Sequence, residues 1–224
     1  MLGYKLTKPE RIIANVDTLS HNYGMFIAEP LEQGFGITLG NSFRRVLLSS
    51  IIGAGVTSVK IEGILHEFSS IPGVVEDVTQ IILNLKEIRF RLDTDQPVIL
   101  PIKAKGPCEV TAADIQSHDA VEVINPDQHI AQIDENGNLN MEIEVSNGRG
   151  YRLLDPDDMD YPIGEIPVDT KFSPIIKTNF RVEEARVGPM TSFDRLIIEI
   201  WTDGSISQKE AISQAARILT SHIN

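Results

Sequence analysis

Residues 34–50 read GFGITLGNSFRRVLLSS, and the rest of the chain is best read outward from them. From residue 38 onward, Leu39, Phe43, Val46, Leu47 and Ser50 recur at helical spacing along one face, which predicts an amphipathic helix over 38–50. Arg45 and Leu48 stand three apart on a different face, with Arg44 beside them. Arginine next to an exposed aliphatic side chain is the composition of an interface anchor. Gly34 and Gly36 let the chain turn sharply into the helix, and Gly40 lets another element come close to it. Gly53 and Gly55 are expected to close it.

Glycines between a strand and a helix also occur in dinucleotide-binding loops. Here the sixth position of the GxGxxG spacing is Leu39, whose bulk obstructs close helix–strand packing, and no βαβ rhythm follows. The structural reading of these glycines is the better one.

On the N-terminal side, residues 11–16 and 23–28 favour strands, and Pro30 is expected to end the second. On the C-terminal side, residues 56–62 alternate as a strand and Ile71-Pro72-Gly73 is a turn. A second helix is predicted over 76–87, with Val78, Ile81, Ile82 and Leu85 apolar. Glu76 and Asp77 would suit its positive end and Lys86 its negative end. Residues 88–168 read mostly as short strands and turns. Asn136-Gly137 predicts a two-residue hairpin turn. After it, Leu139, Met141, Ile143 and Val145 alternate with Asn140, Glu142 and Glu144, one face buried and one acidic. An acidic loop is expected over 155–160, with Pro156, Pro162, Pro167 and Pro174 marking a non-helical return. Residues 179–187 and 196–202 are long strand candidates around Gly188-Pro189, and Asp203-Gly204 ends the second. Ser207 with Glu210 is a capping box opening a last helix, whose stripe is Ile212, Ala215, Ala216, Leu219 and Ile223.

The net charge of −12 is unevenly placed. Residues 53–176 hold 22 acidic against 9 basic side chains, whereas 1–52 and 177–224 together hold 10 against 11. This asymmetry predicts an acidic body, 53–176, inserted into a domain built from both chain ends, 1–52 and 177–224. The overall charge argues against general nucleic-acid binding, which needs clustered Lys and Arg. No apolar run is long enough for a membrane span and no secretory signal opens the chain, so a cytosolic protein is expected. Cys108 is the single cysteine, excluding an intrachain disulfide. His21, His66, His118, His129 and His222 are scattered without metal-ligand spacing, and four residues after His66 stands Ser70, not the second histidine of a zinc-protease motif. No cofactor, no metal and no catalytic activity of its own are expected.

Four stretches carry a resemblance: residues 34–50 above; 56–86, VTSVKIEGILHEFSSIPGVVEDVTQIILNLK; 172–188, FSPIIKTNFRVEEARVG; and 194–212, DRLIIEIWTDGSISQKEAI. Together, and over essentially the whole chain, they closely resemble the N-terminal domain of the alpha subunits of bacterial and chloroplast RNA polymerase. The resemblance implies an α+β fold: a dimerisation domain of antiparallel sheet plus two helices from both chain ends, with a β-rich inserted domain. It implies a non-catalytic assembly subunit of DNA-directed RNA polymerase, a nucleotidyltransferase complex, in the bacterial cytosol or chloroplast stroma. It would homodimerise and then scaffold the beta and beta-prime subunits. Carried onto this chain, the dimer contact would use Leu39, Phe43, Val46, Leu47, Ile212, Ala216, Leu219 and Ile223. Beta would meet Arg44, Arg45, Leu48, His66, Glu67 and Phe68, together with residues 71–74. Beta-prime would meet Lys86, Ser173, Lys177 and Phe180. Relatives continue into a small DNA-contacting C-terminal domain; with the last residue at Asn224, that domain is expected to be absent and no direct DNA contact is carried over. A homodimeric adaptor unrelated to transcription is the rival reading, and a free-standing enzyme with a ligand near residues 34–40 is a second.

Physics favours pairing. Two short amphipathic helices against one thin sheet leave apolar surface uncovered, and identical surfaces from two copies cover each other about a two-fold axis.

Overall fold

The computed structural model describes residues 9, 12–15, 18–154, 162–187 and 190–223. The chain divides into two compact units, Met1–Ile51 with Pro174–Asn224 and, between them, Ile52–Ser173. The return crossing lies a few residues before 177 because Ile175 is buried in the core of the first unit.

In the first unit, β1 (Ile13–Ala14), β2 (Tyr23–Glu32), β13 (Ile175–Val187) and β14 (Met190–Thr202) form a sheet in the order β1-β2-β14-β13, antiparallel throughout. Two helices, α1 (Phe35–Ser50) and α3 (Gln208–Ile223), share a core with one face of that sheet. Phe26, Leu31, Phe43, Leu47, Leu196, Ile198, Ile200, Ile212 and Ala215 are among its buried members. Pro30 does not end β2. The strand runs through the cis Glu29–Pro30 bond, and its register against β14 slips between Asp194 and Leu196, opposite the proline. This is how a sheet admits a residue with no N–H to give.

Helix α1 begins earlier than residue 38. Gly34, at φ 90°, is its N-cap. The Asp194 carboxylate accepts the Gly34 N–H at 2.8 Å and the Gly36 N–H at 3.0 Å. Gly36 therefore lies inside the helix, and a β-carbon there would fall 2.7 Å from Val182 Cγ1. At Gly40 the close neighbour is Phe180, whose ring would stand 2.3 Å from a β-carbon. The helix closes at Ile51 without a glycine; Gly53 and Gly55 belong to the strand that follows. Helix α3 is opened by Ser207, whose hydroxyl accepts the Glu210 N–H at 3.2 Å.

In the second unit, β3 (Ile52–Ile61), β4 (Phe90–Leu92), β5 (Val98–Lys105), β7 (Val121–Val123) and β9 (Asn138–Arg149) run in the order β5-β9-β3-β4-β7, and β11 (Glu165–Pro167) also pairs with β3. Two small pairs accompany this sheet, β6 (Cys108–Thr111) with β8 (His129–Ile133) and β10 (Tyr151–Arg152) with β12 (Thr170–Lys171). Leu139, Met141, Ile143 and Val145 are fully buried while Glu142 is exposed, the alternation expected of β9. Helix α2 (Val78–Lys86) contributes Val78, Ile81 and Leu85 to the same core. Burying each such aliphatic side chain is worth roughly 1.5–3 kcal/mol.

Two local expectations fail here. Helix α2 is shorter than 76–87: Asp77 is its N-cap, its carboxylate accepting the Gln80 N–H at 2.7 Å, and Glu87 its C-cap. Glu76 lies outside it, committed to other partners. Nor is Asn136-Gly137 the turn of a two-residue hairpin. Strands β8 and β9 pair with other strands, and neither residue has positive φ. Gly137 is instead a contact point, where a β-carbon would fall 2.1 Å from the Gly73 carbonyl oxygen.

The expected acidic loop over 155–160, with Pro156, and Gly188-Pro189 lie outside the described residues. No helix among the described residues is long and apolar enough to cross a membrane, and no group of three or more His, Cys, Asp or Glu there could hold a metal ion.

Candidate functional site

Helices α1 and α3 carry both core and surface side chains of the first unit. Leu47 has 0% of its surface exposed and Phe43 is nearly as buried, so these two serve the unit's own core and have almost nothing to offer another molecule. Ile212 is buried as well. Leu39, Val46, Ala216 and Leu219 are half-buried at the margin of that core, and Ile223 is 82% exposed. Phe35 and Ile37 stand out of the first turn of α1, the latter 57% exposed. Neither was among the expected contacts, because the helix was expected to start at residue 38. The signal was present: Phe35, Leu39 and Phe43 continue one stripe at four-residue steps. An open apolar groove of about 460 Å³ lies beside α3, lined by Ile12, Ala14, Phe26, Ile212 and Ala216 with Lys209 and Ser213.

Arg44 and Arg45 are exposed on α1 and make no side-chain ion pair among the described residues. Leu48, one turn on from Arg44, is 39% exposed. An unneutralised arginine pair beside an uncovered leucine is chemically suited to a partner that carries a carboxylate next to an apolar pocket.

On the second unit, His66, Glu67 and Phe68 sit on the loop between β3 and α2. Phe68 is 82% exposed, and Leu65 and Val75 on the same loop are also uncovered. His66 Nδ1 lies 3.2 Å from Ser69 Oγ, and the Glu67 carbonyl accepts the Thr79 hydroxyl at 2.9 Å. The loop is therefore shaped by its own polar contacts while its apolar side chains face solvent. Lys86 is not a free cation. Its ammonium is 2.7 Å from Asp169 Oδ1, and the other oxygen of Asp169 takes the Tyr151 hydroxyl. Ser173 donates its N–H to the Gly150 carbonyl at 3.3 Å.

Lys177 and Phe180 belong to the first unit, on β13. The Phe180 ring is packed over Gly40 and is largely occupied there. Lys177 stands 4.8 Å over the Trp201 ring, which in turn lies 4.9 Å from Tyr23. Burial, and then a 2.8 Å bond donated to Glu199, raise the Tyr23 hydroxyl above its ordinary pKa. Sequence reasoning missed this row because cross-strand register brings together Tyr23, Trp201 and the neighbourhood of Lys177.

A sequence model described as the RNA polymerase Rpb3/RpoA insert domain matches residues 59–173, nearly all of the second unit. The DNA-directed RNA polymerase subunit alpha of Symbiobacterium thermophilum is 53% identical over 224 residues, covering 100% of this chain and 70% of that protein. The chain belongs to the family of DNA-directed RNA polymerase alpha subunits. The alpha subunit of Moorella thermoacetica is 55% identical over 206 residues, 92% of this chain and 66% of its own length. That of Carboxydothermus hydrogenoformans is 54% identical over 208 residues, 92% of this chain and 66% of its own length. The chain thus spans about two thirds of the length of these alpha subunits. Its α+β fold of antiparallel sheets is that of an alpha-subunit N-terminal region with a β-rich insert, and its place is in transcription as an RNA polymerase subunit.

Proposed function

We propose that this chain is a non-catalytic assembly platform of the polymerase, in the bacterial cytosol or chloroplast stroma: two copies pair through α1 and α3, and the pair then binds the beta subunit and afterwards beta-prime. The observation that carries this reading is the apolar side chains that α1 and α3 leave uncovered: Phe35, Ile37 and Ile223, continuous with the half-buried Leu39, Val46, Ala216 and Leu219. A soluble unit gains nothing from exposing such side chains at helix ends unless something covers them. The pairing surface is accordingly narrower than the two full stripes, since Phe43, Leu47 and Ile212 support it from beneath.

Arg44, Arg45 and Leu48, with His66, Glu67 and Phe68, are assigned to beta. Lys86, Ser173 and Lys177 are assigned to beta-prime, with Phe180 acting by shaping β13. Each set draws on both units: Arg44, Arg45, Leu48, Lys177 and Phe180 belong to the first, and His66, Glu67, Phe68, Lys86 and Ser173 to the second. Reconstitution tests the whole reading: the chain mixed with purified beta and beta-prime yields an assembled complex that makes RNA on a DNA template, and the chain alone makes none. Equal recovery of the active complex without the chain sinks the proposal.

A further inference from the structure

The loop that carries Phe68 returns to α2 through residues 71–77, and this return is fastened to β8. The Asp134 N–H donates to the Gly73 carbonyl at 2.9 Å and the Val75 N–H to the Gln132 carbonyl at 3.0 Å. Next along, Glu76 Oε2 accepts the Gln132 N–H at 2.7 Å, and Glu76 Oε1 meets His129 Nε2 at 2.8 Å. The other ring nitrogen, Nδ1, meets Glu109 Oε1 on β6 at 2.9 Å. A neutral imidazole has one N–H and one lone pair, so it can donate to only one of two carboxylates. The second contact would then set lone pair against lone pair. Both contacts are satisfied together when the ring carries both protons.

We infer that protonated His129 is a clasp that ties residues 71–77, and with them the loop assigned above to the beta subunit, onto the β6–β8 pair, so that this docking surface loosens as the imidazole gives up its proton. The inference rests on the proposed role of that loop. His129 is a positioning residue here, acting on the partner only through the loop. The charged groups facing the ring are Glu76, from the segment before α2, and Glu109, from β6. Asp114 is engaged by the N–H of Thr111, the residue that pairs with His129. From α2, the uncharged Asn84 reaches the Ile130 carbonyl.

The direction with pH follows from the two shifts. The bond to Glu76, helped by Glu109 and opposed by burial, raises His129 above the ordinary imidazole range. Burial pushes the Glu76 carboxyl up, but the Gln132 N–H and His129 outweigh it and leave it below its ordinary value. The clasp is complete between these two titrations. It is lost upward through the raised value of His129, and lost downward through the lowered value of Glu76.

Hydrogen exchange of residues 64–77 in the intact chain, from about pH 5.5 to about pH 8.5 to span histidine titration, tests this once rates are corrected for intrinsic chemistry. In the wild type, protection of the Val75 amide falls by about threefold or more across the titration, the scale of a partly exposed ion pair. His129→Gln exchanges at the wild-type high-pH rate at every pH, and Glu109→Gln moves the transition to lower pH. Flat wild-type protection, or a His129→Gln variant as protected as wild type at the acid end, overturns the clasp. Capture of beta is scored separately. If exchange shifts with pH but neither Phe68→Ala nor pH alters capture, the clasp stands and the docking assignment falls. If Phe68→Ala alone reduces capture while exchange is flat, the reverse holds.

Discussion

The carboxylate of Asp194, on β14, accepts the backbone N–H groups of Gly34 and Gly36 and so caps α1 across a gap of 160 residues in sequence. No Ser, Thr, Asp or Asn stands at the N-cap position itself, which is Gly34. The cap is tertiary, and it welds the helix to the strand beside it.

Asp194→Ala removes an acceptor from two otherwise orphaned donors and should destabilise the first unit by about 1–2 kcal/mol. Asp194→Asn, which keeps an acceptor oxygen, should lose about half as much. Trp201, the only tryptophan, lies in this unit on β14, so its fluorescence during urea unfolding reads the effect directly. Equal midpoints for Asp194→Ala and the wild type would contradict the role given to this cap.

At Gly40 two effects compete. Alanine in a helix interior gains about 1 kcal/mol over glycine, but the added methyl group would meet the Phe180 ring far inside contact distance. Overpacking of that kind costs about 1–3 kcal/mol, so Gly40→Ala should be net destabilising. In a Phe180→Ala background the obstacle is gone, and the same change should become stabilising by up to about 1 kcal/mol. A substitution effect of one sign in both backgrounds falsifies the close-approach account.

Pairing is best probed where the fold will not suffer. Ile223 is exposed, so Ile223→Asp should leave urea stability within about 0.5 kcal/mol while sedimentation shifts from dimer to monomer at low micromolar concentration. Leu219→Asp should do the same with some loss of stability. Phe43→Asp behaves differently, because Phe43 lies in the unit's own core: it should unfold the unit outright by burying an unpaired charge. Dimers persisting in Ile223→Asp and Leu219→Asp would remove α3 from the interface.

Arg45→Ala should spare both fold and dimer, since the side chain is exposed and without an ion pair among the described residues. Binding of beta should weaken by tenfold or more, the ordinary size of an arginine hot spot at about 1.4 kcal/mol or above. A pull-down that recovers as much beta as the wild type does would refute the assignment.

How legible was all this in the residues themselves? Periodic features read well. The Leu139–Val145 alternation, the α1 stripe and the Ser207 cap follow from spacing alone, and local spacing is what a sequence displays. Several of the misreadings share a cause: a residue whose neighbour is distant in sequence. Gly137 looked like a turn glycine, but Gly73 is what it must admit. Glu76 looked like a helix-dipole partner and proves to be a ligand of His129. Pro30 looked like a strand stop and is absorbed by a register slip against Asp194 and Leu196. The surface assignments to beta and beta-prime came from resemblance, and nothing in periodicity could have supplied them.

The discontinuity of the first unit bears on how the chain is made. Strand β2 needs β14 as its neighbour, and α1 needs Asp194, yet both lie beyond the whole of the second unit. On the ribosome the middle body can condense early, as a contiguous stretch with its own core. The early α1 must wait, greasy and uncapped, until the last strands emerge. A nascent chain interrupted before β14 therefore lacks both the strand that β2 pairs with and the carboxylate that caps α1, and under the proposed pairing it has no finished surface to offer a second copy.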